Sequence, residues 1–342
     1  MSGGLRSRRC RLALLLPLAV LAGCATLSER PVRPLVAAAT DTLLLHEGDL
    51  LTRVSPDAGW LSRVLRTATG GCALPAVGRP VDVDRDEAGR LLVCDGDLGQ
   101  VIRLSVEGCA PNPYEVFQLP VFSTPTGVEA FPAGIAVADA GRGTVFLLDD
   151  SGDLIGELAA PGGWVRPGQM HWDGQHLHVV DAGRHLVHSF DGAGVWTRQL
   201  GGVGAGAGRF LHPVSVCTSP DGRLWVLDAL NHRVQAFTPD GEPDTAFGVY
   251  DHAPGGFMFP KGLAFDGDGN LYVSDAGVNR VQVFSQGGAL LYWFGSTGRG
   301  QEDFLLPGAI CAHGNLLYIA DPYNRRVQMY RYVPYLSAEG KP

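Results

Sequence analysis

Three features of the sequence predict an all-β fold built from repeats. A pattern recurs at intervals close to 47 residues, its apolar residues alternate with polar ones in short runs, and the chain has 47 glycines and 23 prolines without a collagen period. Alternation predicts strands, and glycine and proline predict the turns between them. At 342 residues, 45% of them hydrophobic, the chain is long enough for a large core in one domain or two.

The first residues have the features of an export signal. Arginines at positions 6, 8, 9 and 11 precede an apolar run from Leu12 to Val20, which is too short to span a bilayer. The next four residues, LAGC, resemble the lipobox of bacterial lipoproteins. That resemblance implies a signal peptide over 1–23, a lipid on Cys24 and a tether over 24–40. Because Ala25 follows in place of Asp, it also implies an outer-membrane lipoprotein on the periplasmic side, held stably by several acyl chains.

The charge of the remaining chain bears on the class of partner. Residues 1–23 hold four arginines and no acid, so that 23 bases face 35 acids after cleavage, a net charge of about −12. An acidic surface repels a polyanion, and no run of Lys or Arg forms a local exception. We therefore expect no nucleic-acid partner.

The cysteines suggest little chemistry. Five remain once Cys10 is removed and Cys24 is lipidated, and none has CxxC spacing. Three lie in apolar strand patterns, where we expect small buried core residues, namely Cys94, Cys217 and Cys311. Cys72 and Cys109 lie in loops and either pair in an oxidising compartment or stay free.

Six repeated units account for most of the chain. Each begins with a proline ahead of an apolar strand, and its second strand ends on an aspartate. The prolines are Pro80, Pro125, Pro167, Pro213, Pro260 and Pro307, at spacings of 45, 42, 46, 47 and 47 residues. The aspartates are Asp95, Asp139, Asp181, Asp228, Asp275 and Asp321. Each spacing leaves room for four short strands and their turns.

Six four-stranded units predict a six-bladed β-propeller of antiparallel blades over residues 41–332, with a tail over 333–342. The last unit has too few residues left for its fourth strand. We therefore expect an N-terminal strand, over Trp60 to Leu65, to complete that blade and close the ring. A seventh, degenerate blade from residues 41–70 is the alternative.

The last three units resemble NHL repeats. They share GRF or GGF ahead of the proline, GN or GR before the second strand, and Asp followed by a later Arg-Val pair. The resemblance is strong over 195–330 and weaker over 76–194, where Gln100, Thr144 and Leu186 replace the arginine. NHL propellers usually have six blades, which agrees with the count of repeats.

The most repeated polar residues are expected to be structural. The six aspartates recur once per blade, and so do Arg233, Arg280 and Arg326 in the last three. We expect each Asp to accept backbone hydrogen bonds at a strand end and each Arg to bridge to a neighbour. A ligand needs an asymmetric site, which sixfold repetition does not provide.

Residues that differ between blades next to the opening prolines are the better site candidates. In propellers of this kind these positions lie at one end of the central channel. The candidates next to the prolines are Arg79, Arg166, His212, Phe259 and Lys261, and Tyr323 joins them from the turn after Asp321, which lies on the same face. Together they predict a basic, partly aromatic mouth that binds an anionic small molecule or an acidic segment of an envelope protein. The alternative is that they are ordinary solvated loop residues.

Two functions remain open from the sequence. We favour a non-catalytic binding or assembly platform without a cofactor. The alternative is a metal-dependent lyase or hydrolase. The peptidyl-hydroxyglycine amidating lyases resemble this repeat and bind zinc through His directly after the opening prolines, but here His212 precedes its proline and His171 lies four residues after Pro167. An axial divalent metal, as in gluconolactonase-like propellers, belongs to this alternative.

Overall fold

The structure is a computed structural model that describes residues 34–36, 42–50, 77–105 and 114–334. The expected signal peptide, Cys24, most of the expected tether and residues 335–342 of the expected tail lie outside these ranges. So do Cys72, Cys109 and Trp60 to Leu65.

The chain folds into six antiparallel blades arranged in a ring, as the repeats predict. Within each of the first five blades, four consecutive strands pair in chain order. After two N-terminal strands, β1 (Pro34–Val36) and β2 (Thr42–Leu50), the blades follow one another. Blade 1 is β3 (Pro80–Arg85), β4 (Leu91–Asp95), β5 (Gln100–Leu104) and β6 (Tyr114–Phe117); blade 2 is β7 (Pro125–Phe131), β8 (Gly134–Asp139), β9 (Thr144–Leu148) and β10 (Leu154–Glu157). Blade 3 is β11 (Pro167–Trp172), β12 (His176–Asp181), β13 (Leu186–Asp191) and β14 (Trp196–Gly201); blade 4 is β15 (Pro213–Thr218), β16 (Leu224–Asp228), β17 (Arg233–Phe237) and β18 (Pro243–Phe247). Blade 5 is β19 (Pro260–Phe265), β20 (Leu271–Asp275), β21 (Arg280–Phe284) and β22 (Leu290–Phe294), and a short parallel pair, β23 (Ser296–Thr297) and β24 (Asp303–Phe304), lies in the loop after it. Blade 6 begins with β25 (Ile310–His313), β26 (Leu316–Asp321) and β27 (Arg326–Pro334).

The N-terminus completes blade 6, so the predicted closure of the ring is confirmed. The segment expected to form the closing strand, Trp60 to Leu65, was wrong, however. Strand β2 fills it by pairing with β27, from Thr42 opposite Pro334 to Leu50 opposite Val327. Strand β1 then adds a fifth strand outside β2. Closing a ring with the first and last parts of a chain removes the exposed edges that two open ends would leave.

The hydrophobic core is divided among the interfaces between blades. Six clusters of buried side chains occur in the described residues, and each joins two neighbouring blades. The cluster between blades 6 and 1 contains Tyr318 and Val83, which packs the end of the repeat array against its beginning. Each blade is therefore stabilised mainly by its neighbours, as expected for stacked repeats.

Glycine lets the innermost strands approach one another around the channel. A Cβ on Gly127 would lie 2.3 Å from the carbonyl oxygen of Gly168, and one on Gly262 would lie 2.8 Å from that of Gly308. No side chain fits at either position. Glycine at these two positions is therefore required by the close approach of neighbouring innermost strands.

Candidate functional site

The residues before the opening prolines meet the repeated aspartates at one end of the channel, which we call the mouth. All six aspartates are fully buried. In blades 1, 2, 3 and 5 the carboxylate accepts the backbone N–H of both residues ahead of the proline; Asp181, for example, accepts those of Val165 and Arg166 at 2.9 Å each. The aspartates therefore fix the backbone from which the mouth side chains project.

Blades 4 and 6 depart from this arrangement. Their aspartates accept only one of the two N–H groups, from Leu211 and Leu305. The residues just before the prolines, His212 and Leu306, instead adopt left-handed backbone with φ of 63° and 56°. Their N–H groups bond to the preceding blade: His212 donates to Nδ1 of His185 at 2.9 Å, and Leu306 to Oδ1 of Asn279 at 2.7 Å.

Blades 4 and 6 also differ from blades 2, 3 and 5 in the residue two positions after the aspartate. In blades 2, 3 and 5 it is glycine, and a Cβ on Gly183 would lie 2.5 Å from Cγ1 of Val165. Blades 4 and 6 carry Leu230 and Tyr323 there. Blade 1 carries Asp97 there and keeps both hydrogen bonds, because Gly78 stands two residues ahead of its proline, where the other blades carry a side chain. We infer that large side chains at both places leave no room for the arrangement with two hydrogen bonds, so the pre-proline residue turns away from the aspartate.

The repeated arginines hold the loops that lead into blades 4 and 6. Arg233 donates from Nε to Asp228 and from Nη2 to the carbonyl of Arg209. Arg326 makes the equivalent bonds to Asp321 and to the carbonyl of Asp303. Arg280 is different: it donates to the carbonyl of His252, and its guanidinium lies 5.0 Å from the ring centre of Trp293.

Three of the candidate site residues influence one another electrostatically across the mouth. Arg166, His212 and Lys261 come from blades 3, 4 and 5. Burial, and then the charges of Arg166 and Lys261, lower the pKa of His212. Burial, and then Arg166, lower the pKa of Lys261, and Asp275 partly opposes this. Among the described residues, no carboxylate forms an ion pair with Arg166 or Lys261. We call these three residues the cationic cluster: Arg166 and Lys261 carry its charge, and the lowered pKa of His212 leaves its ring neutral at pH 7.

The other three candidates are an arginine with a paired charge and two exposed aromatic residues. Arg79 forms an ion pair with Asp97 at 2.8 Å, so its charge is already compensated. Phe259 and Tyr323 are 53% and 54% exposed, which leaves their rings open to a partner. The ring of Phe259 lies over Gly277, where a Cβ would come within 2.9 Å of it.

A second feature, missed in the sequence, is a cavity of about 280 Å³ inside the channel. The innermost strands of all six blades line it, with carboxyl groups on one side and Leu263, Phe265 and Ile310 on another. Three of the carboxyl groups, Asp82, Asp84 and Glu129, each accept a backbone N–H of the next blade, from Val128, Ala130 and Trp172.

Burial dominates the acid–base properties of these carboxyl groups. It raises the pKa of Asp82 and Glu129 well above the usual range, with a contribution from neighbouring carboxylates. The pKa of Asp84 rises to about 7 for the same reasons, because burial disfavours the charged form and Asp86 repels it. At neutral pH this wall of the cavity therefore holds protons.

The cavity does not offer a metal site. His171, the candidate from the sequence, has Nε2 at 2.7 Å from Oγ1 of Thr218, and burial lowers its pKa to about 4. In the part of the chain that the structure describes, no three His, Cys, Asp or Glu side chains are placed to hold a metal ion. The residues present do not fit the axial divalent metal of the alternative function.

A histidine pair was also overlooked in the sequence. His176 and His178 stand at HxH spacing in β12, on the same face of the strand. His178 is buried between Oδ2 of Asp173 and Oγ of Ser189, at 2.9 Å from each. Ser189 is fully buried, so we interpret this chain as a structural link inside blade 3.

The described cysteines have no evident role in a site. Cys94 and Cys217 are buried, Cys311 is partly buried, and all three are free thiols. Burial raises their pKa, which makes them poor nucleophiles.

No helix of the described residues is long and apolar enough to cross a membrane.

Comparison with protein families matches the NHL repeat to residues 210–237 and 257–284, which cover most of blades 4 and 5. The resemblance seen in the sequence is thereby confirmed for these two repeats. A comparison with curated protein sequences found no significant match.

Solved structures with similar folds are propellers of diverse function. A catalytically inactive virginiamycin B lyase from Staphylococcus aureus, crystallised with quinupristin, is 15% identical with a TM-score of 0.56, over 89% of this chain and 97% of its own. A gluconolactonase from Xanthomonas campestris is 16% identical with a TM-score of 0.60, over 91% and 98%. An auxiliary nutrient binding protein from Bacteroides thetaiotaomicron is 13% identical with a TM-score of 0.58, over 75% and 69%. At these identities the similarity shows the fold alone.

Proposed function

We propose that this chain is a non-catalytic binding propeller of the bacterial cell envelope, anchored by lipid at Cys24, and that its mouth binds an anionic partner. The partner is an anionic small molecule or an acidic segment of an envelope protein. The observation that carries the proposal is the cationic cluster of Arg166, His212 and Lys261, assembled from three blades on an acidic protein. Among the described residues no ion pair compensates its arginine or its lysine.

The chemistry of the cluster favours a carboxylate or phosphate group. Arg166 offers a planar fork of donors, and Lys261 offers a point charge whose pKa is lowered first by burial and then by the repulsion from Arg166. An anion between them relieves this repulsion and restores the lost solvation. The exposed rings of Phe259 and Tyr323 would contact the apolar parts of such a partner.

Titration of the purified full chain with citrate and with a short polyglutamate peptide tests the binding site. We expect one binding site on each chain. Neutralising Arg166 or Lys261, as Arg166→Gln or Lys261→Gln, should weaken binding by about tenfold each, the usual loss for a charged hydrogen bond. Arg198→Gln, which removes a cation from the outermost strand of blade 3, is the matched control and should leave binding unchanged. Equal weakening by all three variants would show only a general charge effect and would overturn the site.

The location in the envelope is tested independently. The basic and apolar residues ahead of Cys24 support a lipoprotein signal, and we expect Cys24→Ser to move the protein from the membrane fraction to the soluble fraction. The fold of the variant is checked by its melting temperature, which should equal that of the unchanged chain. Retention of a folded variant in the membrane fraction would overturn the lipid anchor.

The cavity supports a second candidate function, a lyase or hydrolase that uses acid–base catalysis. The favouring observation is Asp84, whose pKa of about 7 suits proton exchange at neutral pH. Elemental analysis of the purified full chain tests the metal-dependent form. The described residues do not fit that form, so we expect no stoichiometric divalent ion. An ion that is present and is lost in His171→Ala would favour it over the binding protein.

A further inference from the structure

The hydrogen bond between blades 3 and 4 depends on the protonation state of a histidine. The N–H of His212 donates to Nδ1 of His185 at 2.9 Å. An imidazole accepts at Nδ1 only when it is neutral with its proton on Nε2. Protonation of His185 would place a hydrogen on Nδ1 and replace this attraction by a clash of two donors.

The N–H of His212 makes no hydrogen bond to a group of its own blade among the described residues. Asp228 already accepts the N–H of Leu211 on Oδ1, while Asn231 and Arg233 occupy Oδ2. Leu230 blocks the arrangement that glycine permits in blades 2, 3 and 5. His212 is also a non-glycine residue at φ 63° just before a proline, a conformation that is unfavourable by itself. The bond to His185 therefore helps to hold His212 in the mouth.

The charges around the link are mostly positive. Arg184 and Asp181 lie on the same turn as His185, and Asp181 is committed to four backbone N–H groups. On the loop that faces His185, Arg209 donates to the carbonyl of Gly201. The next residue, Gly202, donates its N–H to the carbonyl of His185. Across the mouth stand Arg166, Lys261 and the ring of His212.

Blade 6 has the same link without a titratable group. There Asn279 takes the place of His185 and accepts the N–H of Leu306 at 2.7 Å. Both links connect a left-handed pre-proline residue to the preceding blade. Asparagine does not titrate in the physiological range, so the molecule contains its own control.

We propose that His185 is a protonation switch for the mouth: protonation releases the backbone of His212, loosens the loop that leads into blade 4, and remodels the cationic cluster. The effect on ligand binding rests on the proposed function, whereas the switch in the backbone does not. A histidine side chain can take up a proton where an asparagine cannot, so of the two links only the one at His185 responds to protonation.

Amide hydrogen exchange followed by NMR tests the switch on the full chain. Between about pH 7.5 and pH 5.5 we expect the protection factor of the His212 amide to fall by about tenfold or more, the equivalent of one lost hydrogen bond. The protection factor of the Leu306 amide should stay constant within about twofold. In His185→Asn, which copies blade 6, the amide of His212 should stay protected at both pH values.

Three outcomes decide the proposal. The proposal is overturned if the protection factors of the His212 and Leu306 amides change in parallel with pH in the unchanged chain. It is also overturned if the His212 amide still loses protection at low pH in a folded His185→Asn variant. If that variant does not fold, the ¹⁵N shifts of the His185 ring decide: an unprotonated Nδ1 at pH 7.5 that gains a proton as the His212 amide loses protection supports the switch, and any other result overturns it. Citrate binding at fixed pH is measured separately, so failure of the switch and failure of the anion site are distinguishable.

Discussion

Two sets of buried carboxyl groups differ in how many hydrogen-bond donors the fold supplies to them. The aspartates at the mouth are fully buried, and Asp181 accepts four backbone N–H groups. In the cavity, Asp84 accepts one N–H from the next blade, and its pKa rises to about 7. Burial of a carboxylate is tolerated when enough donors replace water, and is opposed when they do not. The first set thus anchors the backbone, whereas the second holds protons.

Removing a carboxylate of the first set should have the largest effect. Asp228→Ala leaves the N–H of Leu211, the amide of Asn231 and the guanidinium of Arg233 without their acceptor. We expect a loss of about 3 to 5 kcal/mol in the free energy of unfolding, because a charged partner remains uncompensated. Chemical denaturation measures this loss. Asp240→Ala, which removes an exposed carboxylate from a turn of the same blade, should change stability by less than about 0.5 kcal/mol. Equal effects of the two variants would contradict the anchoring role.

Removing a charge of the second set should instead raise the free energy of unfolding. The pKa of Asp84 is raised from 3.8 to about 7 in the folded protein, so its ionisation destabilises the fold. This destabilisation is absent below about pH 4, grows between about pH 4 and 7, and is complete above about pH 7. Asp84→Asn keeps an oxygen for the N–H of Ala130, and we expect it to raise stability by roughly 1 to 4 kcal/mol at pH 8.

The difference in stability between Asp84→Asn and the unchanged chain should depend on pH. Melting temperatures of Asp84→Asn and the unchanged chain should converge near pH 4 and separate toward pH 8. Glu87→Gln, an exposed carboxyl on the same wall, serves as the control and should follow the unchanged chain throughout. A destabilised Asp84→Asn at pH 8 would mean that the ionised carboxylate is held by favourable contacts, as at the mouth.

The sequence predicted the architecture because each blade repeats the same local signals. Every blade pairs its opening proline with an aspartate about 15 residues later, so the six-blade count needed no knowledge of tertiary contacts. The closing strand was different. Thr42–Leu50 carries no repeat signature, and its place beside β27 is set by contacts between the two ends of the chain. The sequence pattern therefore led to Trp60–Leu65 instead.

The candidate site was only partly visible in the sequence. Residues next to the prolines identified Arg166, His212 and Lys261, because side chains that break a repeat stand out. The same comparison four residues after each proline would have found Asp84 and Glu129. The left-handed backbone at His212 was not foreseen, since we infer that it depends on Leu230, which lies 18 residues away in the sequence.

A citrate titration of the full chain, followed by amide NMR at pH 7, tests most directly whether the mouth binds anions. We expect the largest shift changes at Arg166, His212 and Lys261, and none at Asp84 or Glu129. Changes centred on the cavity, or the absence of any saturable change, would contradict a mouth that binds anions.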